Sequence, residues 1–342
     1  MPSSTPLKPL VVCALLACPL TNARAQDTDT MDRVVLTLPD ENGHVLHLRQ
    51  APIPEHNEDQ ILVEVHAAAI IGYEWKVRKQ VREEPPEGVK PDDEFPLGYD
   101  ISGVVVSVGD NVTDFKPGDE VFAYTSMSGA YAQYAVGNPS NFAHKPKELT
   151  HEQAASLPVS GICALHSLLY MIDIQEGQSI LIHGGAGGVG HFAIQIAKNR
   201  GATVYTTASG HHLDFVRELG ADIAIDYRNQ TFEDIVPPVD YVVDLIGGEV
   251  RERSLKVLKP DGFLLTYTSV PEESYYEENN IKGAHCYTPA DEPEKLLELA
   301  QMVIDGTVTT HIDAVYPMAD FREAFDFIEH GSAKGKIVLK VR

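Results

Sequence analysis

The chain has 342 residues, 43% of them hydrophobic and 23% charged, enough to bury a sizeable core and too apolar to remain disordered. Its 50 acidic against 27 basic side chains leave a formal charge of -23, which repels phosphate backbones and anionic headgroups and argues against any nucleic-acid partner. The length suits one large domain or two ordinary ones.

Residues 1–25 differ from the rest of the chain. Lys8 precedes an apolar run from Leu10 to Ala17, Pro19 breaks it, and Ala23-Arg24-Ala25 comes next, the order of a secretory signal cleaved before Gln26. The run is too short to cross a bilayer, and no later segment reaches about 18 apolar residues, so the expectation is an exported chain with no membrane span. Two other readings stand beside it: Leu15-Leu16-Ala17-Cys18 as a lipoprotein signal, and translation from Met31, which would leave a cytoplasmic protein. Cys13 and Cys18 leave with the signal. The remaining Cys163 and Cys286 are too few for a disulfide framework or a thiolate zinc cage.

From 34 to about 150 the pattern is one of short strands and turns. Residues 61–69 alternate, 101–109 are rich in Val, and Gly118-Asp119 turns into Val121-Phe122. Residues 81–95, polar, charged and proline-containing, read as a mobile surface loop. Beyond 151 the pattern changes to alternating helices (150–157, 161–171, 188–199, 294–304) and strands (179–183, 203–207, 223–225, 241–244, 263–266), with a last strand at 336–341. Such alternation predicts an α/β chain with a doubly wound parallel sheet.

The strongest signal comes directly after the strand 179–183. Gly185-Ala186-Gly187-Gly188-Val189-Gly190 is a G-x-G-x-x-G between a strand and a helix, the context of a dinucleotide-binding turn. Gly185 should permit the tight turn, Gly187 should let backbone approach a pyrophosphate, and Gly190 should let the helix pack closely on the strand. A P-loop is ruled out because no Lys-Ser or Lys-Thr follows the glycines. At the end of the next strand stands Ser209, where an NAD-selective site would carry a carboxylate for the ribose 2′-hydroxyl. A small hydroxyl leaves room for a 2′-phosphate, so NADP is the expected cofactor. His211, His212 and Arg228 are the nearest basic side chains, and Ser209 also suits the N-cap of a helix near His211.

Several landmarks stand in order: Phe95-Pro96-Leu97-Gly98-Tyr99-Asp100, Phe115-Lys116-Pro117-Gly118-Asp119, Gly129-Ala130-Tyr131-Ala132, Leu157-Pro158, the Gly184–Gly190 loop, Leu219-Gly220-Ala221-Asp222 with Asp226-Tyr227, and Gly335-Lys336-Ile337-Val338-Leu339. With them the chain resembles the zinc-independent medium-chain dehydrogenase/reductases, in the quinone-oxidoreductase or zeta-crystallin-like branch, over nearly all of its mature length. The resemblance implies a GroES-like β-rich catalytic domain, 32–157 completed by 309–342, around a Rossmann NADP-binding domain, 158–308. It further implies a cleft between the two for a small carbonyl or quinone substrate, and a homodimer. Zinc-dependent relatives place a His in the turn that carries Tyr99 here.

Two other departures concern the nicotinamide end: Ile71 stands where relatives carry an Asn, and Cys163 where they commonly carry a Thr. The implied cofactor-binding set is Cys163, the loop 185–190, Ser209 and Tyr227. Hydride transfer to a quinone or an α,β-unsaturated carbonyl needs a donor for the developing oxyanion, and Tyr73 is the candidate catalytic residue. Lys76 and Tyr99 are the alternatives, with Glu74 as a supporting or surface carboxylate. A non-catalytic nucleotide-binding scaffold of the same fold is the competing reading.

Overall fold

The computed structural model describes residues 29–342 except 87, 91–92, 126–128, 287–291 and 332. The expected export signal and its lipoprotein alternative lie outside the described residues. Met31 is a buried residue of the first strand, Thr30–Leu36.

The β-rich part has a three-stranded antiparallel sheet, in the order Leu46–Pro52, Thr30–Leu36, Phe95–Pro96, and a seven-stranded sheet. Along its main path run Ile312–Pro317, Lys336–Lys340, Ile61–Ile70, Asp100–Val108, Glu120–Tyr124 and Phe142–His144, and Tyr134–Gly137 joins on Ile61–Ile70. Its C-terminal strands thus belong to the same sheet as its N-terminal ones. Ile61–Ile70 is expected to alternate, but it is buried along most of its length. On one face Val63 and Val65 enter the main core; on the other Ala67 and Ala69 pack against Ala155 and Val338, where only small residues leave room for a second layer.

The remaining sheet has six strands, all parallel, in the order Ile223–Asp226, Thr203–Ala208, Ser179–His183, Val239–Asp244, Leu258–Thr266, Lys282–His285. By chain order these are strands 3-2-1-4-5-6. The direction of winding reverses between Ser179–His183 and Val239–Asp244, and that crevice is where an open α/β sheet takes its ligand. Ile180 and Ile182 on the first strand, and Phe192, Ile194 and Ile196 on the helix Gly190–Asn199, share one core.

Two local readings need correction. Residues 81–83 are not loop: a helix spans Gly72–Glu83, and Phe95 opens a short strand, Phe95–Pro96. The helix is hidden in the sequence because its buried positions include Glu74 and Arg78 beside Val77 and Val81, so its inner face does not read as apolar. Arg78 reaches Asp326 at 2.6 Å and Arg82 pairs with Glu329, docking this helix on Phe321–Glu329. The segment expected to be helical over 161–171 is an α-helix, Pro158–Leu165, that widens into a π turn over His166–Met171. Thr150 caps His151–Ala155 through a reciprocal pair: its hydroxyl accepts from Gln153 N–H at 3.2 Å, and the Gln153 side chain accepts from Thr150 N–H at 3.0 Å.

Candidate active site

The glycine-rich loop begins with Gly184, whose φ of +75° makes the left-handed turn that the motif assigns to Gly185. Gly185 is required for a different reason: a Cβ there would lie 2.0 Å from Thr206 Oγ1 on the neighbouring strand. At Gly190 a Cβ would lie 2.3 Å from the Gly184 carbonyl, so the helix starts directly against the turn. Gly187 is open apart from the Gly184 carbonyl at 3.3 Å. Thr207 pins the start of the loop, its carbonyl accepting from Gly184 N–H and Gly185 N–H at 3.1 and 3.0 Å. Among the described residues no backbone carbonyl accepts from the N–H groups of Ala186, Gly188 or Val189. Unspent donors at the head of a ten-residue helix form a cradle for an anion.

The loop is held from the other sheet as well. Gly335 N–H donates to the Ala186 carbonyl at 2.8 Å. Lys336 comes next, almost wholly buried, with its ammonium 3.0 Å from Ser160 Oγ and 3.3 Å from Asp100 Oδ2. The other Asp100 oxygen accepts from Val159 N–H at 2.9 Å. Burial pushes Asp100 up to about 6 even though Lys336 pulls it down. This pair lies beneath the loop, since a Cβ on Gly188 would touch Ser160 Oγ and Lys336 Cδ. Nothing in the sequence marks Lys336 as buried, because its partners are far away along the chain.

At the far end of the second strand Ser209 is buried, and its hydroxyl lies 3.2 Å from His212 Nδ1 and 3.4 Å from His211 Nε2. It occupies the N-cap position of the turn Gly210–His212 without capping it through its side chain, so the capping expectation fails. Tyr227 is brought next to it: Tyr227 N–H donates to the Ala208 carbonyl at 3.2 Å, and the exposed ring lies under the Arg228 guanidinium. A carboxylate that the sequence marks only as a landmark beside Tyr227, and not as part of the ribose site, also lies here. Asp226, paired across the sheet with Ala208, accepts from Arg228 N–H at 3.1 Å and from the Asn229 amide at 2.6 Å, and its Oδ2 lies 2.7 Å from where a Gly210 Cβ would stand.

The candidate donor lies on the helix Gly72–Glu83. Tyr73 is about one-third exposed, its ring edge-on to Tyr99 with centroids 6.4 Å apart, and Tyr99 stacks on Tyr124. Burial, with the neighbouring Glu74, raises the Tyr73 phenol above its usual range and keeps it protonated at neutral pH. Lys76 is exposed at its surface, yet the protein around its stem lowers it, and the charge of Asp244, at the carboxyl end of Val239–Asp244, pulls the other way. Asp244 itself is fully buried; Oδ1 accepts from Ile246 N–H and Gly247 N–H at 3.0 and 2.7 Å, whereas Oδ2 has no partner among the described residues. An orphaned carboxylate oxygen beside the switch-point crevice suits a ligand hydroxyl.

Glu74 is not a surface group. It is completely buried, and its carboxylate accepts from Ile71 N–H at 3.0 Å, Gly98 N–H at 2.8 Å and the Tyr131 hydroxyl. Burial pushes it up to about 7, against the pull of those donors. It therefore ties the start of the helix to the Gly98 turn and fixes Ile71, which is buried and apolar. Cys163 is buried within Pro158–Leu165; its carbonyl accepts from Ser167 Oγ at 2.6 Å and Tyr267 OH at 3.1 Å.

Comparison with known proteins agrees with this architecture. Residues 57–147 match the alcohol dehydrogenase GroES-like domain, and residues 219–339 match a family described as zinc-binding dehydrogenase. The chain is 34% identical over 299 residues to the chloroplastic NADPH-dependent alkenal/one oxidoreductase of Arabidopsis thaliana, with 84% of this chain and 73% of that protein covered. It is 33% identical over 301 residues to a 2-methylene-furan-3-one reductase of Solanum lycopersicum, with the same coverage. The quinone oxidoreductase of Coxiella burnetii superposes with a TM-score of 0.82 at 32% identity, covering 92% of this chain and 100% of that one. Among the described residues no group of three or more His, Cys, Asp or Glu is placed to hold a metal ion, and no helix is long and apolar enough to cross a membrane.

Proposed function

Because this chain belongs to the medium-chain dehydrogenase/reductases, in their quinone-oxidoreductase branch, we propose that it reduces quinones or α,β-unsaturated carbonyls with NADPH and without zinc. The observation that carries the reading is the glycine-rich loop at the switch point, where the N–H groups of Ala186, Gly188 and Val189 are unspent; to these we add the Tyr73 phenol as the donor to the acceptor oxygen.

The residues present fit the cofactor. Ala186, Gly188 and Val189 would hold its pyrophosphate, and the open face of Gly187 lets that group reach the backbone. Asp244 Oδ2 would accept from a ribose hydroxyl. Ser209, Tyr227 and Arg228 would surround a 2′-phosphate, with Asp226 occupied in holding the turn beside them. Cys163 and Ile71 would line the nicotinamide end. NADPH, when bound, supplies the hydride.

The protein's own part is to orient the acceptor and meet the negative charge that develops on its oxygen. Tyr73 OH donates a hydrogen bond, then a proton, to that oxygen, the negative charge developing there drawing the proton from a phenol that burial makes a weaker acid. Tyr99 stands where zinc-dependent relatives carry a His, and its ring is packed between Tyr73 and Tyr124, so this turn serves to orient the donor.

The test is oxidation of NADPH by a panel of quinones, enones and saturated aldehydes, repeated after chelator treatment. Turnover of quinones or enones that survives the chelator supports the reading. Loss restored by zinc would overturn the metal-free part, and tight NADPH binding with no turnover would favour the scaffold reading.

A further inference from the structure

Two cysteines come together at the carboxyl edge of the nucleotide sheet; Cys163 would line the nicotinamide end, but neither thiol takes part in the hydride or proton transfer described above. Cys286 directly follows the last strand, Lys282–His285, and its N–H donates to the Thr266 carbonyl at 2.9 Å. Its sulfur lies 3.9 Å from the Cys163 carbonyl oxygen, which brings the two cysteines together. Both cysteines are buried, and no disulfide joins them.

We propose that Cys163 and Cys286 are a hydroperoxide-sensitive dithiol that closes into an intramolecular disulfide. The surroundings are those of a reactive pair rather than of two apolar fillers. Ser167 Oγ lies 3.0 Å from the Cys286 sulfur and also reaches the Cys163 carbonyl and the Tyr267 hydroxyl. Ser167 stands in the π turn His166–Met171, where Ile172 N–H donates to its carbonyl at 3.1 Å, so the widened turn carries the hydroxyl that faces both cysteines. The polar neighbours Cys163, Ser167 and Tyr267 lower the Cys286 thiol to about 7 against the effect of burial, which favours the thiolate that attacks a peroxide.

The chemistry balances with one hydroperoxide. The Cys286 thiolate attacks the terminal peroxide oxygen, the O–O bond breaks, and the leaving group takes a proton to become water from hydrogen peroxide or an alcohol from an organic hydroperoxide. The Cys163 sulfur then attacks the sulfenic sulfur; an S–S bond forms, the S–O bond breaks, and the departing hydroxide takes the Cys163 proton as water. Two thiols are oxidised by two electrons, and one peroxide is reduced. The bond would tie the helix Pro158–Leu165 to the end of the last strand.

The inference does not depend on the reductase reading and is tested without turnover. The full chain, reduced with dithiothreitol and freed of it, is exposed to hydrogen peroxide, denatured with iodoacetamide, digested and analysed by mass spectrometry. The expected result is a linked Cys163–Cys286 peptide, with both thiols lost in parallel and recovered by dithiothreitol. In Cys163→Ser the expected product is a Cys286 sulfenic acid that dimedone traps. The proposal is overturned if wild-type Cys163 stays alkylatable while Cys286 advances to sulfinic or sulfonic acid, or if neither thiol is lost. It is also overturned if the disulfides recovered join these cysteines only to Cys13 or Cys18.

Discussion

The two ends of the crevice are made of different material. At the proposed phosphate end the groups offered are backbone N–H donors, and their geometry is forced by glycines at which a Cβ would collide with neighbouring atoms. At the proposed acceptor end they are side chains on the helix Gly72–Glu83, whose start is fixed by Glu74, which gathers hydrogen bonds from Ile71, Gly98 and Tyr131. A backbone site fails outright when a glycine is replaced, whereas a side-chain site can lose its chemistry and keep its shape.

The largest expected effect lies at the phosphate end. Gly190→Ala would drive a Cβ to 2.3 Å from the Gly184 carbonyl. The helix must move off the turn, and NADPH affinity should fall about 100-fold or more, the order of about 3 kcal/mol. Fluorescence titration measures it, and an unchanged affinity would break the claim that this end is rigid. At the acceptor end Tyr73→Phe should lower kcat by about 10²-fold. NADPH affinity should stay as it was; a parallel loss in both would mean that Tyr73 supports binding and not proton donation.

The contrast also decides what the sequence could reveal. The loop was legible because its glycines have one structural solution in a strand-turn-helix context, although the left-handed residue proved to be Gly184 and not Gly185. The parallel sheet was legible because its apolar strands recur between helices. By contrast the helix Gly72–Glu83 was not, since Glu74 and Arg78 are buried for reasons supplied by distant residues: Gly98 and Tyr131 for one, Asp326 for the other. Asp226 does not stand out beside Ser209 because strand pairing, and not sequence distance, brings it opposite Ala208. The buried Lys336–Asp100 pair was invisible on the same ground.

Smaller effects sharpen the contrast. Ser209→Asp places a carboxylate among Tyr227, His212 and Asp226, and should shift the NADPH-over-NADH preference by about tenfold toward NADH through repulsion of the 2′-phosphate. Equal affinities untouched by the change would mean that the ribose lies elsewhere.

Glu74→Gln should have the least effect at low pH. Glu74 keeps its proton to about 7 in the fold against an ordinary 4.5, so the folded chain holds an extra proton between these values. Its contribution to stability is complete below 4.5 and is lost as pH rises through 7. The melting temperature of the variant, relative to wild type, should therefore rise between pH 5 and 8; a constant difference would contradict the buried, protonatable brace.

The most direct test of the central claim follows the hydride itself. NADPH carrying deuterium at the transferable position, incubated with the enzyme and an enone or quinone, should yield reduced product in which an enone carries a single deuterium on its β-carbon, with and without chelator. Product lacking deuterium, or NADPH left unconsumed by every acceptor, would contradict the account.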